Sequence, residues 1–214
     1  MPENVQHADE YLTVKNEAND SFEVKRSKFI GYIKPVKTVE DAQNFINAIK
    51  SKHWDAKHNV YAYVLRDGQI KRYSDDGEPQ GTAGIPVLDV MVKENITDCV
   101  IVVTRYFGGI LLGGGGLVRA YSHAASLAVS SGNVICMKRF HVCETNMDYT
   151  LYGRFPSLVS ENGGKVIDTV FETDVCVKYL FPAKSIEAFE KKVQDLSSGK
   201  GYVNIIESVY DEDT

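Results

Sequence analysis

The apolar positions of this chain change period along its length. Phe22 and Val24, then Phe29, Gly31 and Ile33, alternate with period two as half-buried strands do, and the charged run Lys25 to Lys28 interrupts them. From Thr38 the period lengthens. Ala42, Phe45, Ile46 and Ile49 fall at i, i+3, i+4 and i+7, opposite Glu40, Gln43, Asn44 and Asn47, which predicts an amphipathic helix capped by Thr38. NVYAYVLRDGQIKRYS predicts a hairpin with Asp67 and Gly68 supplying the positive φ angles of its turn. PVLDVMVKEN predicts a helix opening at Pro86 with Leu88, Met91 and Val92 turned inward. CVIVVT is a continuous apolar run short enough to be a buried strand. A further helix carries Leu117, Ala120, Tyr121, Ala124, Leu127 and Ala128 on one face and Arg119, Ser122, His123, Ser126 and Ser130 on the other, ending at Gly132-Asn133.

The pattern breaks near residues 132 to 138 and restarts. A strand over 139–148 is followed by a helix with Leu151, Phe155, Leu158 and Val159 on one side, and by strands at 165–171 and 175–181. A helix carrying Ile186, Phe189, Val193 and Leu196, capped by Ser185, then leads to a strand at 202–210. This order is βαββαβ, the ferredoxin-like unit. The expected class is therefore α+β in two domains, residues 1–134 and 139–214, each long enough to bury a modest core.

Charge narrows the functional classes. The net charge is −5, with acidic and basic residues nearly balanced up to residue 135 and an acidic excess beyond it, so neither half is a strongly basic domain. Two runs, KRSK from Lys25 and KSKHWDAKH from Lys50, are locally basic and can join a surface patch once folded. No apolar run approaches the roughly 20 residues of a membrane span, and MPENVQHADE lacks the regions of a signal peptide, so a cytoplasmic protein without membrane contact is expected. Cys99, Cys136, Cys143 and Cys176 have no C-x-x-C pairing and point to reduced, buried thiols.

Two stretches carry candidate chemistry. In TRYFGGILLGGGGLVRAY, Gly108, Gly109, Gly113, Gly114, Gly115 and Gly116 lie between a strand and a helix N-terminus, a plausible anion site. Gly109 and Gly114 have Walker spacing, but Gly115 and Gly116 replace the Lys and hydroxyl residue, and no G-x-G-x-x-G can be placed. Arg105 and Arg119 flank the loop and can hold an anion, or can be paired with Asp75, Asp76 or Glu78. Both readings stay open. The second stretch is YSDDGEP, where Asp75, Asp76 and Glu78 with His53 or His58 can form a metal set, although these are also the residues that turns demand, and the turn is preferred. No nucleophile motif is present, so no catalytic residue, metal ligand or cofactor is assigned.

RYSDDGEPQGTAGIPVLDVM and VVTRYFGGILLGGGGLVRAY, with EVKRSKFIGYI and HNVYAYVL upstream, closely resemble the signature of the IMPACT family in its bacterial YigZ-like branch. The resemblance implies an N-terminal α/β domain shared with a small-subunit ribosomal protein and with domain four of elongation factor G, and a ferredoxin-like C-terminal domain similar to domain five of that factor. It also implies family-wide positions at Tyr73, Asp75, Asp76 and Glu78 without an assigned role. Eukaryotic relatives regulate translation through a protein partner and an RWD domain that has no counterpart in this sequence, so that partner is not carried over. The resulting expectation is a non-enzymatic, translation-associated regulator binding RNA, the ribosome or a translation-related protein. Arg105, Arg119 and the glycine-loop amides would meet phosphates, while Lys25, Arg26 and Lys28 would add salt-sensitive attraction. The alternative is an enzyme holding a small anionic or metal-dependent substrate between the SDDGEP turn and the glycine loop. A protein partner on the C-terminal domain is a further expectation, and no DNA sequence specificity is expected.

Overall fold

The structure, a computed structural model, describes residues 9–212. The leading residues 1–8 and the last two, which form the outer ends of the two expected domains, lie outside the described residues. Two compact units emerge, Tyr11–Cys136 and a second made of residues 137–212 together with Asp9 and Glu10.

A strand β1 (Glu10–Val14) begins in the second unit, whose sheet it joins; the first unit contains β2 (Ala18–Val24), β3 (Ser27–Pro35), α1 (Val39–Lys52), β4 (His58–Leu65), β5 (Ile70–Ser74), α2 (Gly84–Lys93), β6 (Cys99–Tyr106) and α3 (Gly114–Ser131). Its sheet runs β2-β3-β6-β4-β5 with every neighbouring pair antiparallel. Strand alternation sorts side chains to two faces. Ile30, Tyr32, Tyr63, Leu65, Val100 and Val102 pack against Ala42, Phe45, Ile46 and Ile49 of α1. Phe29, Ile33, Val60, Ala62, Val64, Ile101 and Val103 pack against α2 and α3 on the opposite face. CVIVVT is apolar throughout because β6 sits in the middle of the sheet and is covered on both sides. Gly31 is required there: a Cβ on it would stand 2.3 Å from the Ala124 carbonyl oxygen of α3.

Several local expectations shift. Thr38 caps α1, its hydroxyl accepting from the Asp41 amide at 3.0 Å. In the β4–β5 turn the positive φ angles belong to Gly68 and Gln69 rather than to Asp67 and Gly68, because four residues, not two, join the paired Leu65 and Ile70. Helix α2 starts two residues before Pro86; Met91 is buried as expected and Leu88 partly so, but Val87 takes the inward position expected of Val92, which is exposed. The strand β1 had no counterpart among the predicted elements.

The second unit contains β7 (Val134–Met147), α4 (Tyr149–Tyr152), α5 (Phe155–Glu161), β8 (Lys165–Phe171), β9 (Val175–Pro182), α6 (Ile186–Leu196) and β10 (Asn204–Glu212). Strands pair antiparallel in the order β10-β7-β9-β8, so the fourth lies beside the first, as in the ferredoxin-like arrangement. Residues 135–138, read as lying between domains, are part of β7. The single helix expected over 151–159 is two pieces, since Pro156 in the first turn of α5 lacks the amide hydrogen that would continue α4. Phe155, Tyr179, Phe181 and Phe189 form the centre of this core, with the Phe181 and Phe189 rings stacked at 4.0 Å. All four cysteines are free thiols; Cys99 and Cys143 are buried, and burial pushes Cys143 up to about 12. Among the described residues no helix is long and apolar enough to cross a membrane.

Candidate nucleic-acid interface

Antiparallel pairing brings the first residues of β3 and β4 and the last of β5 and β6 to one end of the sheet. Lys28 faces Tyr106, His58 faces Arg105, and Tyr61 faces Ser74. The β2–β3 turn, the SDDGEP turn and the glycine loop all leave the sheet at this end, so the candidate residues of the sequence are neighbours in space.

The SDDGEP segment is an internal scaffold. Asp76 and Gly77 hold positive φ, and the Glu78 amide donates to the Asp75 carbonyl at 2.9 Å, closing a turn of the type that Asp-Gly favours. Each carboxylate is then occupied by protein donors. Asp75 accepts from the Ala83 and Gly84 amides at 3.1 and 2.8 Å and from Gly81 at 2.9 Å, so it serves as the cap that Ala83 cannot provide at the start of α2. Asp76 accepts from the Lys50 ammonium and the Asn59 amide, both at 2.7 Å. Glu78 is buried and accepts at one oxygen from the Arg105 guanidinium at 2.6 Å and from the Tyr121 hydroxyl at 2.8 Å.

Arg105 therefore points inward. It is 5 % exposed, lies 5.4 Å from the ring centres of both Phe29 and Phe107, and has its charge matched by Glu78. Its Nε has no partner among the described residues. Burial, then the Glu78 charge, holds the Tyr121 hydroxyl far above its ordinary value, so it remains a donor. His58 donates from Nδ1 to the Asp76 carbonyl at 2.8 Å, which leaves Nε2 at 3.7 Å from Glu78. His58 thus lies beside Glu78, while His53 lies on the other face of the sheet. Among the described residues no three His, Cys, Asp or Glu side chains come together as a metal set.

Outward-facing charge is a separate set. Lys25 and Arg26 form the two-residue β2–β3 turn with φ of 47° and 64°, the left-handed region that a hairpin turn of this length requires and that non-glycine residues enter at a cost. Gly108 seats this turn: a Cβ on it would stand 2.0 Å from the Arg26 carbonyl oxygen, and its amide donates to Ser27 Oγ at 3.2 Å. Lys25 and Arg119 border a groove of about 320 Å³ whose floor is Phe22, Val24, Leu112, Gly116 and Ala120. Arg119 is exposed; its Nε donates to the Gly115 carbonyl at 3.1 Å, and no carboxylate pairs with it among the described residues. The same holds for the exposed Lys25, Arg26 and Lys28.

The glycines divide by role. Gly109 and Gly113 take positive φ, and Gly113 is the N-cap of α3, which no side chain of the described residues caps. A Cβ on Gly115 would meet nothing within 4 Å, and on Gly114 only the Thr82 methyl at 3.9 Å, so neither is glycine for the sake of internal packing. Tyr73 is half-exposed beside Gly84, where a Cβ would stand 2.9 Å from its ring.

On the α1 face lies a second polar chain that no sequence motif marks. Tyr32 donates to His53 Nε2 at 2.6 Å, His53 Nδ1 donates to Tyr106 Oη at 2.8 Å, and Tyr106 donates to Asp55 at 3.1 Å. Burial and Lys52, aided by Lys28 and opposed by Asp55, hold His53 below 6.5 and so in the neutral form this chain uses. Its signal was only two tyrosines at strand positions otherwise apolar. In the second unit exposed apolar side chains include Ile167, Val170 and Phe171 on β8 and Ile205 and Ile206 on β10. β8 and β10 lie at opposite edges of the sheet, so these two sets are separate.

Comparison with known proteins follows the same division. Residues 25–129 match the Impact N-terminal domain, and residues 145–200 match a domain of unknown function, DUF1949. The chain is 36 % identical over 201 residues to the IMPACT family member YvyE of Bacillus subtilis, covering 94 % of this chain and 93 % of the relative. It is 33 % identical over 182 residues to the IMPACT family member YigZ of Escherichia coli, covering 83 % and 88 %. A crystal structure described as a hypothetical protein superposes with a TM-score of 0.61 at 30 % identity, covering 94 % of this chain and 99 % of the other. With the Impact N-terminal domain in place and such relatives aligned over most of its length, the chain belongs to the IMPACT family.

Proposed function

We propose that the protein is a non-enzymatic, translation-associated factor whose first unit binds RNA, free or in the ribosome, through the end of the sheet that carries the β2–β3 turn and the glycine loop. The observation that carries this reading is the set Lys25, Arg26, Lys28 and Arg119. These cations are exposed and none makes an ion pair among the described residues, Glu23 alone lying opposite one of them, Lys28, in the β2–β3 register, and two of them are held at positive φ. Strain of this kind persists where the surrounding structure enforces it, and here Gly108 does. The uncapped start of α3 adds amides and a helix dipole of the same sign, and the bare Gly114 and Gly115 let a phosphate approach the backbone. The carboxylates an enzyme would need at this end are occupied by protein donors, which favours a binding role over catalysis.

The test is binding of fluorescently labelled RNA, followed by anisotropy across a salt series. Affinity is expected to fall as salt rises, by about 0.7 in log-log slope for each phosphate contact with a single strand. Replacing Lys25, Arg26, Lys28 and Arg119 by Ala together should flatten that slope. Salt-independent binding, or unchanged binding by the fourfold variant, overturns the reading.

A further inference from the structure

The chain has one tryptophan, Trp54, and it is 82 % exposed. A side chain of this size ordinarily contributes most by being buried, so its display on the surface calls for a ligand with a flat apolar face. Trp54 follows the last residue of α1 by two positions, and its neighbours are anchored. His53 is bonded to Tyr32 of β3 and Tyr106 of β6, Asp55 accepts from Tyr106, and the Ala56 amide donates to the His53 carbonyl at 3.0 Å. The Lys57 amide in turn donates to the Arg105 carbonyl at 3.1 Å. The tryptophan is thus presented from a backbone tied to the sheet on both sides.

Around it cations outnumber the one adjoining carboxylate, Asp55, which accepts from Tyr106. Lys28, Lys52 and Lys57 are exposed and have no carboxylate partner among the described residues, and the Lys52 ammonium lies 5.0 Å from the Tyr32 ring. The residues adjoining Trp54 are charged or small, with no large apolar side chain from Ser51 to Lys57 apart from the indole. A protein interface sets such an anchor among further aromatic or apolar residues at its core, and the segment from Ser51 to Lys57 offers no large apolar residue beside the indole; a nucleobase requires only a ring to stack on and cations for its phosphates.

We propose that Trp54 is a stacking surface for an unpaired base, so that the RNA bound at this end of the sheet is single-stranded. This rests on the RNA-binding reading above. In a duplex the base faces are already covered by their neighbours, so only an unpaired segment can offer a face to the indole.

The two readings separate in one experiment on the full chain, because Trp54 is the only tryptophan emitter. A uridine-rich single strand and a duplex of equal length are titrated, with binding read from the anisotropy of labelled RNA and stacking read from Trp54 emission with unlabelled RNA. The single strand is expected to bind more tightly than the duplex and to quench Trp54. Trp54→Ala should lose about tenfold in single-strand affinity, Trp54→Phe should recover part of it, and duplex affinity should be unchanged in both. Binding seen by anisotropy with unaltered Trp54 emission and an unaffected Trp54→Ala variant overturns the stacking proposal and leaves RNA binding standing. Absence of any binding at low salt overturns both.

Discussion

Two sets of charges meet at one end of the first unit's sheet and behave in opposite ways. Arg105, Glu78, Tyr121 and His58 face inward under α2 and α3, where every charge has a partner. Lys25, Arg26, Lys28 and Arg119 face outward, where none makes an ion pair among the described residues. The first set holds the strand end, the SDDGEP turn and α3 together; the second has no visible role in the fold. An arginine beside a glycine-rich loop therefore has no fixed meaning, since Arg105 and Arg119 flank the same loop and only one of them remains available to an anion.

The comparison breaks most sharply at Glu78. Glu78→Gln leaves Arg105 buried without its counter-charge and should cost about 3–5 kcal/mol, read from urea unfolding. A loss near zero would mean that the inward set is not structural. Gly108→Ala comes next, at about 1–3 kcal/mol, because the new Cβ collides with the Arg26 carbonyl and must displace the turn. RNA affinity should fall with it, whereas Gly115→Ala, which meets nothing, should leave stability equal or higher.

The outward set is tested by removing its strain. Lys25→Asn combined with Arg26→Gly gives the turn residues that tolerate positive φ and should stabilise the unit by about 1 kcal/mol or more, while weakening RNA binding through the two lost charges. A variant that is both more stable and equally active in binding would show that these cations are not kept for a ligand. The smallest effect is on pH. His53 has its folded-state value lowered from 6.5, so the stability it contributes is complete above 6.5 and is lost as pH falls through the lowered value. The melting temperature should decline between about pH 7 and 5, and His53→Gln should make that decline shallower; a residual slope is expected from His141, which is lowered by burial and Arg139.

Legibility followed the range of the interactions involved. The α1 stripe, its Thr38 cap and the buried β6 were readable because a helix or strand buried on a known face repeats its apolar residues at a fixed period. The β4–β5 turn and the start of α2 slipped by one or two residues because turn length and helix phase depend on how the flanking strands pair, which no local pattern records. At the candidate site, the turn character of SDDGEP was readable from its composition. That Asp75 would cap a helix nine residues later was not; pairing of an arginine with one of these carboxylates was one of two open readings, but the sequence could not say that Glu78 takes Arg105, twenty-seven positions away, and leaves Arg119. Tyr121 appeared only as part of an apolar helix face, and Trp54 only as one residue of a basic run.

By itself the sequence determined most of the elements and the family, since these reside in periodicity and in long unbroken motifs. Only the tertiary structure decided which charges are available. That question depends on partners distant in the chain: a carboxylate brought to hydrogen-bonding distance in a buried site neutralises an arginine that sequence position alone leaves indistinguishable from its exposed neighbour.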